Sequence, residues 1–474
     1  MKTFLKEIIG FTIIMAMPKV GYAYDFEADG IYYNLNISDR TATVTSGDYK
    51  NKRDIIIPSS VFYANQELPV SAIGSSAFYG CSSLVSIEMP NSVTSIGYDS
   101  FRGCSSLVSI EIPNSVTVIG ISAFEECSSL VSIEIPNSVT SIGYSAFSGC
   151  SSLVSIEIPQ SVTDIGDAAF AGCSSLVSIE IPNSVTSIGY SAFSRCSSLV
   201  SIEIPNSVTD IGEYAFRGCS SLVSIEIPNS VTGIGEFAFS GCSSLVSIEI
   251  PQSVKTIGYE AFDKCSSLKK LVFKDGETKL SLLYTYQYWV TFKDSPIEEL
   301  YLGRNLDYPT GGHNGDSPFY KNTGFKTISL GNYVTNADSI YPQKIESLEV
   351  INCYNPEPPF ILSFTNVQYA TIIVNVPKGC LEVYQTDSIW GKFWNLNEVD
   401  WEAGVETVES DSQLNFRIEE SSIILDNPNN NKLITVYNLN GQCLYSGYDS
   451  VISDLPNGLL LIKIGNQSKK IFIP

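Results

Sequence analysis

Two kinds of side chain that could do chemistry recur along this chain at a fixed spacing of 23 residues. Thiols could form disulfides or hold a metal ion, and carboxylates could bind cations or basic partners, or act in acid–base catalysis. The recurring cysteines are Cys81, Cys104, Cys127, Cys150, Cys173, Cys196, Cys219, Cys242 and Cys265. The recurring glutamates are Glu88, Glu111, Glu134, Glu157, Glu180, Glu203, Glu226 and Glu249.

Each glutamate stands between two apolar residues, as in Ile156-Glu157-Ile158. Because side chains alternate along a strand, the isoleucines point inward and the glutamates form one outward row. Neighbours ~5 Å apart would repel by ~0.8 kcal/mol per pair in bulk water. The row is therefore either a solvated face that keeps the sheet soluble or an acidic stripe for a basic partner or weakly bound calcium. Carboxylate pairs at ~5 Å also suit retaining glycosidases, but the identical coils offer no walled cleft.

The nine recurring cysteines are predicted to form a buried ladder of free thiols. Equivalent side chains on parallel rungs point the same way, and an odd number cannot pair completely. Adjacent rungs ~4.8 Å apart leave partial disulfides open as an alternative. Zinc is a weaker alternative, because the close C-x-x-C spacing of zinc sites is absent.

No catalytic residue and no cofactor is predicted, so the chain is not expected to be an enzyme. His313 is the only histidine, and it lies in a glycine-rich loop without a nucleophile beside it. The sequence contains neither a P-loop nor a G-x-G-x-x-G motif that opens a helix.

The elements that must position the glutamates and cysteines are coils of a repeat array. From Cys81 to Lys264 one unit recurs eight times without insertion, which predicts a solenoid. Within a coil, Ile156 and Ile158 mark a short strand, Gly166 permits a tight turn, and Phe170 fills the far side. One such coil buries too little apolar surface to fold alone, so neighbouring coils must stack.

The strings Cys-Ser-Ser-Leu-Val-Ser-Ile-Glu-Ile-Pro and Ser-Val-Thr-Ser-Ile-Gly-Tyr-Ser-Ala-Phe closely resemble the BspA-like leucine-rich repeats of bacterial surface proteins. The resemblance implies a leucine-rich-repeat solenoid that is curved and carries a parallel β-sheet on its concave face. It also implies exposure at the cell surface and adhesion to host or bacterial proteins.

The array is flanked by other segments. Lys2, Lys6 and an apolar run too short to span a bilayer indicate an N-terminal signal peptide. Insertions such as 274–296 are expected to form loops, and Trp390, Phe393 and Trp394 are expected to plug the end of the solenoid. The expected organisation is: signal peptide 1–23, N-terminal cap 24–69, regular repeats 70–273, irregular repeats and C-terminal cap 274–399, acidic linker 400–412 and C-terminal module 413–474.

The C-terminal module is predicted to be a small β-sandwich. Alternating strand patterns at 433–439, 459–464 and 470–473 are separated by turn residues such as Asn440-Gly441. The module resembles the sorting domain of the type IX secretion system, although Leu459-Leu460-Leu461 stands where such domains usually carry a tyrosine. That resemblance implies export across an outer membrane. The alternative is a plain β-sandwich without a sorting role.

The charge of −22 disfavours nucleic acid as a partner, because phosphate binding needs clustered positive charge. No segment after the signal peptide is apolar enough for a membrane helix. We therefore expect an exported protein at the cell surface or outside the cell that binds an extracellular protein, such as host matrix or another bacterium's surface. A periplasmic location, a polysaccharide-binding or polysaccharide-active protein, and a purely structural spacer are the alternatives.

Overall fold

The structure of the protein is a computed structural model that divides into two compact units by the contacts within the chain. The first unit comprises Met1–Ser174 and Pro182–Ala192, and the second comprises Ser175–Ile181 and Phe193–Pro474. The structure describes residues 24–283, 291–292, 295–308, 318–319, 322–340, 344–401, 416–419, 422–425, 434–438, 443–447, 451–453, 455, 458–464 and 467–473. The predicted signal peptide, His313 and residues 402–412 of the predicted linker lie outside these ranges.

Both units are built from coils of the parallel β-solenoid that the repeat predicts. Ile133 and Ile156 of consecutive coils are in register in a parallel ladder, and both are buried. The glutamates that follow them, Glu134 and Glu157, are also in register and are exposed. The alternation that the sequence predicts for this strand is thus confirmed.

Each regular coil also contains a second short strand, which the single predicted sheet did not include. In the first unit Ser141–Ile142 pairs in parallel with Asp164–Ile165 of the next coil. Ile142 and Ile165 point into the core while Asp164 is exposed. The sequence predicted only the first of these two strands in each coil. Two residues are too few to show the alternation that identifies a strand in a sequence.

The first unit begins with an antiparallel hairpin of Ile31–Asn36 and Thr41–Val44. Gln66–Ile73 then pairs in parallel with Thr41–Val44 and leads into the second strands of the coils. The other strands before the coils are Phe26–Ala28, Asp54–Ile56 and Ser60–Tyr63. The first strands of the coils are Ser86–Glu88, Ser109–Glu111, Ser132–Glu134 and Ser155–Glu157. The second strands are Ser95–Ile96, Val118–Ile119, Ser141–Ile142, Asp164–Ile165 and Ser187–Ile188.

The second unit continues the same two-strand pattern and then becomes irregular. Its first strands are Ser178–Glu180, Ser201–Glu203, Ser224–Ile225, Ser247–Ile250, Lys270–Phe273, Glu299–Leu302, Thr327–Leu330, Val350–Cys353, Ile373–Pro377 and Asn395–Val399. Its second strands are Asp210–Ile211, Gly233–Ile234, Thr256–Ile257, Leu280–Leu282 and Leu306–Asp307. Leu280–Leu282 pairs in parallel with Thr256–Ile257, so the prediction that 274–296 forms only a loop was wrong.

A ladder of phenylalanine rings fills the core of each unit on the side away from the first strands. In the first unit the rings from Phe78 to Phe170 stack with centroids 5.3 to 5.5 Å apart. In the second unit the rings from Phe193 to Phe319 stack at 5.2 to 5.6 Å. Stacked coils therefore bury their aromatic rings against each other. This packing supplies the apolar contact that a single coil lacks.

Short helices and buried aromatic residues follow the last irregular coils. The helices are Asn366–Thr371 and Leu381–Thr386, with a 3-10 turn at Trp390–Lys392. Trp390 is buried and donates a 2.8 Å hydrogen bond from Nε1 to the carbonyl of Pro359, and Phe393 is buried beside it. Trp394 is 80% exposed. The expectation that all three aromatic residues plug the end of the solenoid was therefore wrong for Trp394, whose side chain lies in solvent.

The described residues of the C-terminal module form two antiparallel sheets, as the predicted β-sandwich requires. In this part of the chain one sheet contains the strands Phe416–Glu419, Ser422–Leu425 and Val451–Ile452. The other contains Ile434–Asn438, Cys443–Gly447, Gly458–Ile464 and Gln467–Ile473. Ile423 and Ile452 from the first sheet share a buried cluster with Val436 and Ile462 from the second.

Candidate functional site

The recurring glutamates form exposed rows on the outward face of the first strands. In the first unit Glu111, Glu134 and Glu157 are paired in register, and in the second unit Glu180 pairs with Glu203. All eight recurring glutamates are exposed. In-register parallel strands lie ~4.8 Å apart, so the backbone places these glutamates one coil apart on the outward face of each unit. We call these carboxylates the Glu row.

Little in the surrounding protein neutralises the Glu row. Among the described residues, Glu249 is the only one of the eight in an ion pair, with Lys274 Nζ 3.1 Å from its carboxylate. The regular repeats from Cys81 to Lys264 contain 18 acidic and five basic residues, which gives them a net charge of −13. Carboxylates of the irregular coils behave differently. Lys269 and Lys326 both contact Glu298 and hold the pKa of that carboxyl below its usual value.

The Glu row ends where the coils become irregular. The strand register places Val272, Tyr301 and Ser329 in the positions after Glu249. Asn352 and Asn375 follow, and their side chains continue a hydrogen-bonded ladder in which Asn375 Nδ2 donates to Asn352 Oδ1 over 2.9 Å. The same face therefore changes from identical carboxylates to a varied set of groups.

At this change of composition lies a hollow of about 700 Å³, which we call the aromatic hollow. Its walls are formed by the irregular first strands and by the turns that follow them. Residues that line it include Glu249, Gln252, Lys274, Asp275, Tyr301 and Tyr354. Its volume falls in the range of small-molecule sites.

The rings of the aromatic hollow are fixed in place. Tyr301 donates a 2.8 Å hydrogen bond to Asp275 Oδ2, and the rings of Tyr301 and Tyr354 lie 5.8 Å apart. Trp401 packs on Tyr354 with a centroid distance of 4.4 Å. Burial raises the pKa of Tyr301, and the neighbouring Asp275 raises it further. Tyr301 therefore remains a neutral phenol that donates to a carboxylate.

The aromatic hollow was not predicted from the sequence, because the irregular coils were interpreted only as interruptions of the repeat. A signal was nevertheless present. Tyr301 occupies the position of the recurring glutamate when Leu300-Tyr301-Leu302 is aligned with Ile248-Glu249-Ile250. Asp275, Tyr354 and Trp401 carry no comparable signal, because they join the site through turns whose paths the repeat does not define.

The nine recurring cysteines are buried free thiols. Cys127 donates a 3.1 Å hydrogen bond to the carbonyl of Phe101 in the preceding coil, and Cys242 does the same to Phe216 over 3.3 Å. Burial raises the pKa of Cys127 to about 12. The thiolate, which is the reactive and metal-binding form, is therefore scarce at neutral pH. These thiols act as small apolar residues that also satisfy a backbone carbonyl.

Within the described ranges, no group of three or more His, Cys, Asp and Glu side chains is arranged to hold a metal ion. In the same part of the chain, no helix is both long and apolar enough to cross a bilayer.

Comparison with protein families places the repeats in a known group. A family described as a BspA type leucine rich repeat region, in six copies, matches residues 71–200 and 186–308. Together these matches span half of the chain. Among curated proteins, none matches the chain.

Several solved structures are similar to this chain. A leucine-rich repeat protein from Bacteroides ovatus is 27% identical over 80% of this chain and 100% of its own, with a TM-score of 0.59. A leucine-rich repeat protein from T. pallidum is 31% identical over 46% of this chain and 90% of its own, with a TM-score of 0.37. A leucine rich cell surface protein from Faecalibacterium prausnitzii is 26% identical over 64% of this chain and 94% of its own, with a TM-score of 0.31.

Proposed function

Because the chain belongs to the BspA-type leucine-rich repeat family, we propose that it is an exported surface protein that binds an extracellular protein through the Glu row. The partner carries basic groups and belongs to the host matrix or to another bacterium's surface. The proposal gives the chain no catalytic role and needs no cofactor. Residues 1–23 serve as its signal peptide, and residues 413–474 serve as a sorting domain for secretion.

The observation that carries the proposal is that each unit carries an in-register row of carboxylates with few charge partners of its own. In-register carboxylates repel each other, and a basic partner would relieve that repulsion over many coils at once. Each contact in such an exposed row is weak, so affinity would come from the number of contacts. A repeated surface therefore suits an extended partner better than a small ligand.

Calcium is a weaker candidate for the same row. A calcium ion takes six to eight oxygen ligands, which carboxylates in single file supply poorly. Glu134, for example, has in-register carboxylate neighbours only in the coil before it and the coil after it. We therefore propose that the Glu row binds basic groups of a protein, and that it binds calcium only weakly.

Neutralising part of the row should weaken binding to matrix and bacterial surface proteins immobilised for surface plasmon resonance. We expect about a tenfold loss of affinity, equivalent to about 1.4 kcal/mol, because several charge contacts disappear together. The test variant replaces three carboxylates of the row: E134Q, E157Q and E203Q. The control variant replaces three exposed carboxylates away from the row: D164N, D210N and E213Q.

The control variant should bind like the unmodified protein. Because both variants lose three negative charges, this comparison shows whether binding depends on where the charges lie or on the net charge. Raising NaCl from about 50 to about 300 mM should weaken binding of the unmodified protein more than binding of the test variant. A partner whose affinity changes with neither the test variant nor salt would remove the Glu row from the binding surface.

A further inference from the structure

We propose that the aromatic hollow, which adjoins the end of the Glu row at Glu249, binds a neutral oligosaccharide. The ligand class differs from that of the protein-binding role, and so do all the residues except Glu249, so the inference does not depend on that role. It is carried by fixed aromatic rings, mixed hydrogen-bonding groups and lysines that are already paired with carboxylates.

The aromatic walls of the hollow are held rigidly. Asp275 accepts the hydrogen bond of the Tyr301 hydroxyl, and the absence of a side chain at Gly331 leaves room for its carboxylate. A Cβ at Gly331 would overlap Asp275 Oδ1 and lie 3.0 Å from the Tyr301 hydroxyl oxygen. Tyr354 is in turn held by Trp401. Rings that are already ordered lose little conformational entropy when a ligand binds.

The groups that line the hollow match the two kinds of surface that a sugar presents. One face of a pyranose ring presents C–H groups, which pack on aromatic rings, while its hydroxyls both donate and accept hydrogen bonds. Tyr301 and Tyr354 supply the rings. Gln252 and Ser329 supply both donors and acceptors around them. A purely apolar ligand would leave these polar groups unpaired, which costs free energy.

The lysines that line the hollow are paired with carboxylates that also line it. Lys274 contacts Glu249 at 3.1 Å, and Lys270 contacts Glu299 at 3.5 Å. Charges that are already paired offer little net attraction for an ion, so a neutral ligand fits better than an acidic one. Most glutamates of the Glu row lack such pairs, so their negative charge remains available to a basic partner.

The space available is larger than the aromatic hollow alone. A second hollow of about 470 Å³ shares Asn229 and Gln252 with the aromatic hollow and contains Tyr333, which is 44% exposed. The two hollows are therefore neighbours, and together they offer more space than a single sugar needs. An oligosaccharide of several residues is therefore the expected ligand, and both hollows are too open to enclose a reaction.

The test uses the full-length protein and isothermal titration calorimetry. The probes are maltohexaose, mannohexaose, cellohexaose and chitohexaose as neutral sugars, with hyaluronan hexasaccharide as the acidic probe. At least one neutral hexasaccharide should bind with a dissociation constant below about 1 mM. Tyr354→Ala and Lys274→Ala should each weaken that binding, by about tenfold for the aromatic residue.

The matched control is Tyr144→Ala, which removes a tyrosine that is 49% exposed and lies outside the hollow. Its affinity for the sugar should not change. Circular dichroism identifies a variant that fails to fold, and the exposed Lys274 side chain makes Lys274→Ala the safer of the two test changes.

Absence of binding by every neutral hexasaccharide would overturn the proposal, as would binding of the hyaluronan probe alone. Neutral-sugar binding that is equal in Tyr354→Ala, Lys274→Ala and the unmodified protein would also overturn it. The protein-binding role fails or succeeds separately, because Tyr354→Ala leaves the Glu row intact and the Glu-row variant leaves the hollow intact.

Discussion

Replacement of Arg304 by alanine is expected to lower the free energy of unfolding by about 4 kcal/mol. The guanidinium group is completely buried, and it donates hydrogen bonds to the carbonyls of Pro251 and Gln252 at 2.9 Å and of Val254 at 2.8 Å. Burial lowers the pKa of Arg304 to about 10, so the group remains protonated at neutral pH. Alanine would remove all three bonds and leave a cavity among unpaired carbonyls.

Urea unfolding followed by circular dichroism measures this loss. The matched control is Arg102→Ala, because Arg102 is partly exposed and makes longer contacts, with Asp99 at 3.6 Å, Glu125 at 3.4 Å and the Tyr79 ring at 6.0 Å. That change should cost less than about 1 kcal/mol. Arg304→Lys should fall between the two, since an ammonium group lacks the planar fork that reaches three carbonyls. Equal losses for Arg304→Ala and Arg102→Ala would contradict the structural role of Arg304.

The second large effect is expected for Gly235→Ala, with a loss of about 3 kcal/mol. A Cβ at this position would lie 2.6 Å from the carbonyl carbon of Gly212 in the preceding coil, and closer still to the backbone nitrogen of Glu213. Both atoms belong to the backbone, so neither can move aside as the end of a side chain can. The coils would have to separate at this point.

A control for this change lies two residues away. Gly233 begins the short strand Gly233–Ile234, which ends just before Gly235, but a Cβ at Gly233 would meet only the side-chain oxygens of Asp210 and Thr256, at 3.1 and 3.3 Å. Other coils carry serine or aspartate at the equivalent position. Gly233→Ser should therefore leave the thermal midpoint nearly unchanged while Gly235→Ala lowers it. A similar thermal midpoint for both variants would contradict the close backbone contact between coils at Gly235.

The regular coils were largely predictable because one pattern is repeated many times. The spacing of Ile156 and Ile158 predicted an inward pair, and the structure buries both. The reason for the recurring glycine was different from the expected one. Gly166 does not adopt a left-handed conformation, and instead a Cβ there would collide with backbone atoms of the preceding coil at Gly143. Distances between coils are a tertiary property that spacing along one coil does not define.

The features that escaped prediction depend on contacts between residues far apart in the sequence. Arg304 bonds carbonyls about 50 residues earlier in the chain, and no local pattern predicts such a contact. Tyr354 and Asp275 meet at the aromatic hollow through irregular turns. The exposed position of Trp394 could not be distinguished from the buried position of Trp390, because both are large apolar residues in the same short segment.

The most direct test of the central claim, a surface-displayed binding protein, is protease treatment of intact cells that make it. Mass spectrometry would follow peptides of the repeats and of residues 413–474 before and after treatment. The account predicts that repeat peptides are lost from intact cells while periplasmic marker proteins survive. Repeats that are digested only after the outer membrane is broken would place the protein in the periplasm and contradict the account.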